Sequence, residues 1–312
     1  MQKLKSETKI LQTSIREAYA SGLVDGKIVQ YGKGLDVGEL IVAKFGDSRL
    51  LRLGFEPQAL INTAQLRLNA NFTVPYDAGS HWRINGHILE RDTFFMNLFS
   101  DENELLAERR KVLCGRVPLV PFLEELEALT GRDLPDGHSL TLLCRLPAAQ
   151  YRQLVFEMEH ILEQRCMRGD GHGGAQALIR LLAASVAASS IRDADQKTPL
   201  RNKAALVRRI RDYVDERDPG TVSMAQLCAA FSMSAPTLIS VFRDMTGQTP
   251  NRFFMLQRLA RARSALAGSE SGAAPVKAAA LEQGFTELGR FSAQYKAVYG
   301  ELPSQTNARL SG

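Results

Sequence analysis

The chain has 312 residues, of which 45% are apolar and 23% charged, a composition typical of globular proteins with room for two domains. Its longest apolar run, around Ala175–Ala188, is interrupted by Arg180 and falls short of the roughly 20 residues that cross a bilayer. The basic N-terminus lacks a following apolar segment, and the cysteines show no CxxC spacing. We therefore expect a cytoplasmic protein with no membrane segment, no secretory signal and buried, reduced cysteines.

The positive charge lies in the last third of the chain. Residues 198–312 contain 15 Lys and Arg against 9 Asp and Glu, a net charge of +6, whereas residues 1–197 carry a net charge of −1. Such an uneven distribution favours a C-terminal module that meets a polyanion.

Short runs of β-type residues dominate the chain up to about Cys166. Several alternate polar and apolar residues and are bounded by turn residues, which predicts strands. The runs are KIVQYG, GELIVAKFG, RLLRLGF, AQLRLNANFTVPY, HWRINGHILE and HSLTLLCRLP. We predict an α+β protein whose N-terminal domain, residues 1–165, is a barrel or sandwich with helices.

A helical connector is predicted for residues 166–198. The period changes to helical spacing over Ala148–Arg165, and Gly169–Gly174 (GDGHGG) indicates a flexible joint. The Ala-rich segment Ala175–Ile191 follows, and it suits a dimerisation helix and packing against its own domain equally well. Thr198-Pro199 then signals the start of a helix in the next domain.

Two segments near the C-terminus share one pattern. LISVFRDMTGQTP (Leu238–Pro250) and FSAQYKAVYGELP (Phe291–Pro303) match at an offset of 53 residues. The matched residues are an apolar residue, an aromatic residue, a basic residue, a glycine and a proline. Each segment predicts an amphipathic helix with a glycine cap and a proline stop.

The first segment is predicted to end a helix-turn-helix. Ser223 with Gln226 forms a capping-box pattern, and Ser234 is a second N-cap before a helix over about 235–246. The predicted buried stripe of that helix is Leu238, Val241, Phe242 and Met245. Its predicted exposed face is Pro236, Thr237, Ser240 and Arg243.

A second helix-turn-helix is predicted from Val276, with Gly284 at the turn and a recognition helix over about 286–299. The predicted buried stripe is Leu288, Phe291, Tyr295 and Val298. The opposite face is Thr286, Gly289, Arg290, Ala293 and Gln294. Between the two units, Arg252–Ala267 predicts a connecting helix about 24 Å long, which would place both recognition helices on one side of a duplex.

Residues of roughly 200–309 resemble the DNA-binding domain of AraC/XylS-type transcriptional regulators. The most specific part is QGFTELGRFSAQYKAVYGELPSQTNAR, which is similar to the signature of that family. The resemblance implies a seven-helix DNA-binding domain over residues 199–312, and a domain over 1–165 that senses a small-molecule effector or dimerises. It also implies a bacterial regulator, not an enzyme, with no cofactor. Its partners would be double-stranded DNA, RNA polymerase if it activates, and a second copy of the chain.

The expected DNA contacts are unequal in the two units. Ser232, Ala235 and Pro236 stand where the family usually has Gly and Arg, which predicts weaker or more shape-dependent readout by the first helix. Arg290 suits guanine and Gln294 adenine, although Arg290 equally suits a phosphate or a helix cap. The predicted DNA-binding residues are Ser234, Pro236, Thr237, Ser240, Arg243, Thr286, Glu287, Gly289, Arg290, Gln294 and Lys296. Arg258, Arg261 and Arg263 suit either phosphate contact or a solvated helix face.

The N-terminal segment GSHWRINGHILE raises two alternatives. His81, Trp82 and Arg83 are expected to line a pocket for an anionic or aromatic effector. His81, His87 and Glu90 are potential metal ligands, but the close His-x-His pair of a cupin is missing, so we predict no metal site. The alternatives to an effector-controlled regulator are a metal-dependent cupin-like enzyme with an accessory DNA-binding module, and an architectural DNA binder without an effector.

Overall fold

A computed structural model describes residues 9–14, 27–30, 37–55, 59–64, 68–76, 82–98, 102–107, 110–131, 140–168, 172–193, 198–267 and 275–309. The chain divides into two compact units, and the boundary between the two long parts lies between Thr198 and Pro199. In the described part of the chain, no single helix is both long and apolar enough to cross a membrane.

Strands account for most of the described chain before residue 119. They are β1 Lys9–Ser14, β2 Lys27–Gln30, β3 Val37–Phe45, β4 Ser48–Phe55, β5 Ala59–Ala64, β6 Asn69–Pro75, β7 Arg83–Ile84, β8 His87–Ile88, β9 Thr93–Leu98, β10 Glu102–Ala107, β11 Arg110–Pro118, β12 Leu140–Arg145 and β13 Ser190–Asp193. Eight of them form one antiparallel sheet in the order β1-β3-β4-β11-β6-β9-β12-β13. Elsewhere, β7 pairs with β10 and with β8.

Three helices pack on the large sheet. They are α1 Leu119–Thr130, α2 Ala148–Arg168 and α3 His172–Ala188. Apolar residues on one face of each helix join side chains of the sheet in one buried cluster, as Phe122, Leu154 and Leu182 illustrate. All six residues of β9 are buried, as expected for a strand in the interior of a covered sheet.

Part of the segment predicted as a connector lies in the N-terminal core. Leu178, Leu182 and Val186 of α3 belong to the buried cluster, and β13 pairs with β12 at the edge of the large sheet. Gly173 and Gly174 of the predicted joint are helical, because α3 begins at His172. Residues 169–171 of that joint lie outside the described residues. Of the cysteines, Cys144 is buried, but Cys114 and Cys228 are only half-buried, contrary to expectation.

The long C-terminal part of the second unit, here called the C-terminal unit, consists of helices joined by turns in its described residues. Its helices are α4 Thr198–Asp215, α5 Met224–Ala230, α6 Ala235–Thr246, α7 Pro250–Ala267, α8 Val276–Glu282, α9 Leu288–Tyr299 and α10 Pro303–Arg309. The predicted fold class, a β-rich N-terminal part followed by a helical part with two helix-turn-helix units, is therefore confirmed.

Candidate nucleic-acid interface

The first helix-turn-helix consists of α5 and α6, which are bent by 94° relative to one another, as is usual for this motif. The predicted capping box is present at the start of α5. The Ser223 hydroxyl accepts from the Gln226 backbone N–H at 3.3 Å, and the Gln226 side-chain oxygen accepts from the Ser223 N–H at 2.8 Å. The turn contains Ser232 at φ 51°, a left-handed conformation that costs a non-glycine residue about 1 kcal/mol.

Both ends of α6 are capped as predicted. The Ser234 hydroxyl accepts from the Thr237 backbone N–H at 3.3 Å and lies 2.8 Å from the Thr237 hydroxyl. At the other end Gly247 is left-handed, and its N–H donates to the Arg243 carbonyl at 3.0 Å. The buried residues of α6 include the whole predicted stripe: Leu238, Val241, Phe242 and Met245.

The second unit repeats this ending but differs at its beginning. Gly300 is left-handed and its N–H donates to the Lys296 carbonyl at 2.8 Å, the counterpart of Gly247. The turn before α9, residues 283–287, is one residue longer than the turn before α6, residues 231–234. The extra residue arises because α8 ends one position early, and α9 begins at Leu288, 53 residues after the start of α6 and two residues later than predicted. Its N-cap Glu287 makes no side-chain capping hydrogen bond.

Leu288 corrects the predicted buried stripe of α9. Its side chain is 36% exposed, whereas Phe291, Tyr295 and Val298 are buried as predicted, together with Tyr299. As the first residue of the helix, Leu288 has no preceding helical turn to pack beneath it. An apolar residue therefore lies at the exposed start of the second recognition helix.

The predicted DNA-binding residues lie almost entirely on the surface. Ten of the eleven are exposed, and Gln294 is half-buried. The exposed ones are Ser234, Pro236, Thr237, Ser240, Arg243, Thr286, Glu287, Gly289, Arg290 and Lys296. The first helix therefore presents one cation, Arg243, and the second presents Arg290 and Lys296.

Three arginines on α7 have partners inside the domain, so they do not form a simply solvated helix face. Arg258 donates to the Gly284 carbonyl at 3.3 Å and lies over the Phe285 ring at 4.6 Å. Burial lowers the pKa of Arg258 below its ordinary value. Arg261 pairs with Asp215 at 2.6 Å, and Arg263 pairs with Glu301 at 3.4 Å.

A direct backbone contact joins the loop before α5 to the turn before α9. Gly284 has φ 72°, and a Cβ added there would lie 2.0 Å from the Pro219 carbonyl oxygen. A Cβ on the neighbouring Gly220 would lie 2.5 Å from an Arg258 guanidinium nitrogen. Sequence reasoning predicted only the connecting helix between the two units and missed this contact, although the glycines at 220 and 284 were its local signal.

A groove of about 470 Å³ lies beside the start of α9. The side chains that line it come from the first turns of α7, the turn before α9 and the exposed face of α9. They are Thr249, Asn251, Arg252, Met255, Arg258, Gly284, Phe285, Thr286, Glu287, Arg290, Phe291 and Gln294. Four of the predicted DNA-binding residues thus share this groove with Arg252, which sequence reasoning did not single out.

The residues proposed for an N-terminal site are less concentrated. His81 lies outside the described residues, Arg83 and His87 are half-buried in β7 and β8, and Glu90 forms an ion pair with Arg145 at 2.9 Å. Within the described residues there is no group of three metal-ligating side chains. Trp82 is 1% exposed, and its indole nitrogen has no hydrogen-bond partner among the described residues.

The helical part of the chain resembles a known family. Residues 227–309 match a family model described as a helix-turn-helix domain. The chain is 32% identical over 98 residues to the XylDLEGF operon transcriptional activator 2 of Pseudomonas putida. Residues 227–309 form an AraC-type helix-turn-helix domain. That alignment covers 31% of this chain and 62% of the relative, so the chain matches less than two thirds of the relative's length.

Other similarities cover about a third of the chain or most of its length. A probable thc operon regulatory protein of Rhodococcus erythropolis is 29% identical over 100 residues, 32% of this chain and 30% of the relative. A solved probable AraC family regulator of Rhodopseudomonas palustris is 29% identical, covers 34% of this chain and 97% of its own, and has a TM-score of 0.31. The AraC-like activator CuxR is 14% identical over 83% of this chain and 95% of its own, with a TM-score of 0.41.

Proposed function

We propose that the protein is a sequence-specific, DNA-binding transcriptional regulator controlled by a small molecule bound to its N-terminal unit. The observation that carries the DNA-binding part is the repetition of one helix, α6 and α9, which ends in a left-handed glycine each time and exposes most of the predicted DNA-binding residues. The relatives described above are an operon transcriptional activator and a probable operon regulatory protein, which supports the same function.

Arg290→Ala is expected to weaken binding to a selected DNA site by about 1–3 kcal/mol, because an exposed arginine on a recognition helix is suited to read guanine. The site is first selected from random duplexes with the full-length chain, and affinities are then measured for that site and for an unrelated duplex. Arg152→Ala, an exposed arginine on α2, is the matched control and should leave both affinities unchanged.

Two outcomes would contradict parts of this proposal. An equal loss on all sequences would show that Arg290 contacts phosphate rather than a base. Specific and unrelated affinities of the wild-type chain within about tenfold of each other would indicate an architectural binder, because sequence-specific regulators separate them by about 10³ or more.

The effector part of the proposal is supported by Trp82. A buried indole N–H without an acceptor is unfavourable, and a ligand oxygen would satisfy it. Trp82 is the single tryptophan of the chain, so intrinsic fluorescence reports directly on its surroundings. A binding-competent aromatic carboxylate is expected to change this fluorescence and the DNA affinity over the same concentration range.

A matched variant separates a local from a remote effect. Trp82→Phe keeps a buried ring but removes the indole donor. It should raise the carboxylate concentration that gives half of the change in DNA affinity about 5- to 10-fold. If this variant responds to the same concentrations as the wild type, Trp82 is not part of the effector site.

A further inference from the structure

Two exposed arginines lie in the groove beside α9. Arg252 projects from the first turn of α7 and Arg290 from the first turn of α9, and both side chains are exposed. With Arg258, the groove contains three guanidinium groups against one carboxylate, Glu287. The local charge of this groove is therefore strongly positive.

The three arginines differ in what already occupies their donors. The Arg258 guanidinium donates to the carbonyls of Gln283 and Gly284 and lies against the Phe285 ring. By contrast, neither Arg252 nor Arg290 forms an ion pair with any residue in the described part of the chain. Arg261, on the solvent side of the same helix α7, is paired with Asp215. Among the α7 arginines, Arg252 is thus the one that has neither an ion pair nor a carbonyl or ring contact with the described residues.

The groove is continuous with the recognition surface of the second unit. Thr286 and Gln294, two predicted DNA contacts, line the same groove as Arg252. If α9 lies in the major groove of a duplex, phosphates at the edge of that major groove come close to the protein groove beside α9. An exposed guanidinium with five donors is suited to bind them.

We propose that this groove binds a phosphate of the DNA backbone, with Arg252 as its principal cation. The proposal rests on the DNA-binding function proposed above. In this arrangement Arg252 fixes the position of the second recognition helix on the duplex without contributing to sequence discrimination. Glu287 opposes the phosphate and limits binding to unrelated DNA.

Salt dependence tests the role of Arg252 in the full-length chain. Arg252→Gln should lower the affinity for the selected site and for an unrelated duplex by the same factor, about fivefold at low salt. It should also reduce the slope of log affinity against log salt concentration by about 0.9, measured between about 50 and 200 mM KCl. Arg261→Gln removes one charge from the same helix and should leave the slope unchanged.

The opposite change provides a second test. Glu287→Gln removes the carboxylate from the groove and should raise the affinity for unrelated DNA about two- to threefold. An unchanged salt slope in Arg252→Gln, or a loss limited to the selected site, would overturn the phosphate role of Arg252 while the DNA-binding function stands. If the wild-type chain binds no duplex at all, both the groove proposal and the DNA-binding function fail.

Discussion

Gly284→Ala is expected to lower the free energy of unfolding of the C-terminal unit by about 3–4 kcal/mol. A left-handed residue with a side chain costs about 1–2 kcal/mol. The added Cβ would also lie 2.0 Å from the Pro219 carbonyl oxygen, so the backbone itself must move. Such overpacking costs about 1–3 kcal/mol more.

Denaturation by urea, followed by circular dichroism, measures this effect. Dichroism is needed because the single tryptophan, Trp82, lies in the N-terminal unit and does not report on the helices after Thr198. Gly289→Ala is the matched control, since a Cβ at that exposed helical position meets nothing within 4 Å. This control should stabilise the unit by up to about 1 kcal/mol, and equal midpoints for the two variants would contradict the predicted contact.

Arg263→Met is expected to destabilise the C-terminal unit by about 3–5 kcal/mol, because it removes one partner of a buried ion pair. The side chains of Arg263 and Glu301 are 6% and 12% exposed. The guanidinium lies 4.5 Å from the centre of the Tyr299 ring. Glu301 also accepts from the Thr306 hydroxyl at 2.8 Å, and that hydroxyl lies 2.8 Å from the Tyr295 hydroxyl.

A double-mutant cycle isolates the charge pair from the packing of the long arginine side chain. Glu301→Gln keeps the size of its side chain and removes the charge. In the double variant Arg263→Met/Glu301→Gln, no buried carboxylate has lost its guanidinium partner, so the loss should be smaller than the sum of the two single losses by at least about 1 kcal/mol. Additive losses in the urea midpoints would show that the pair does not stabilise the unit.

The local features of the helical unit could be predicted from the sequence. The caps at Ser223, Ser234, Gly247 and Gly300, and the buried stripe of α6, depend on residues within a few positions of one another, so spacing alone reveals them. The error at Leu288 has the same origin. The periodicity of a helix is reliable in its interior but does not show at which residue the helix begins.

The contacts that join distant parts of the chain could not be predicted in this way. Gly284 meets Pro219, 65 residues earlier, and Arg258 and Arg263 find partners beyond the end of their own helix. On a helix wheel these arginines resemble any solvated face. In the N-terminal unit, β9 was missed because all its residues are buried and no polar-apolar alternation marks it.

Because the backbone at Pro219 touches Gly284, the two recognition helices are not free to turn independently about α7. If both helices bind successive segments of one duplex, the protein then fixes the rotation about the duplex axis between the two bound segments. Shifting one segment by about 5 base pairs, half a turn of DNA, would move it to the opposite face of the duplex. The affinity of the AraC/XylS-type domain for DNA would therefore depend on the spacing of the two sequence elements as strongly as on the sequence of either one.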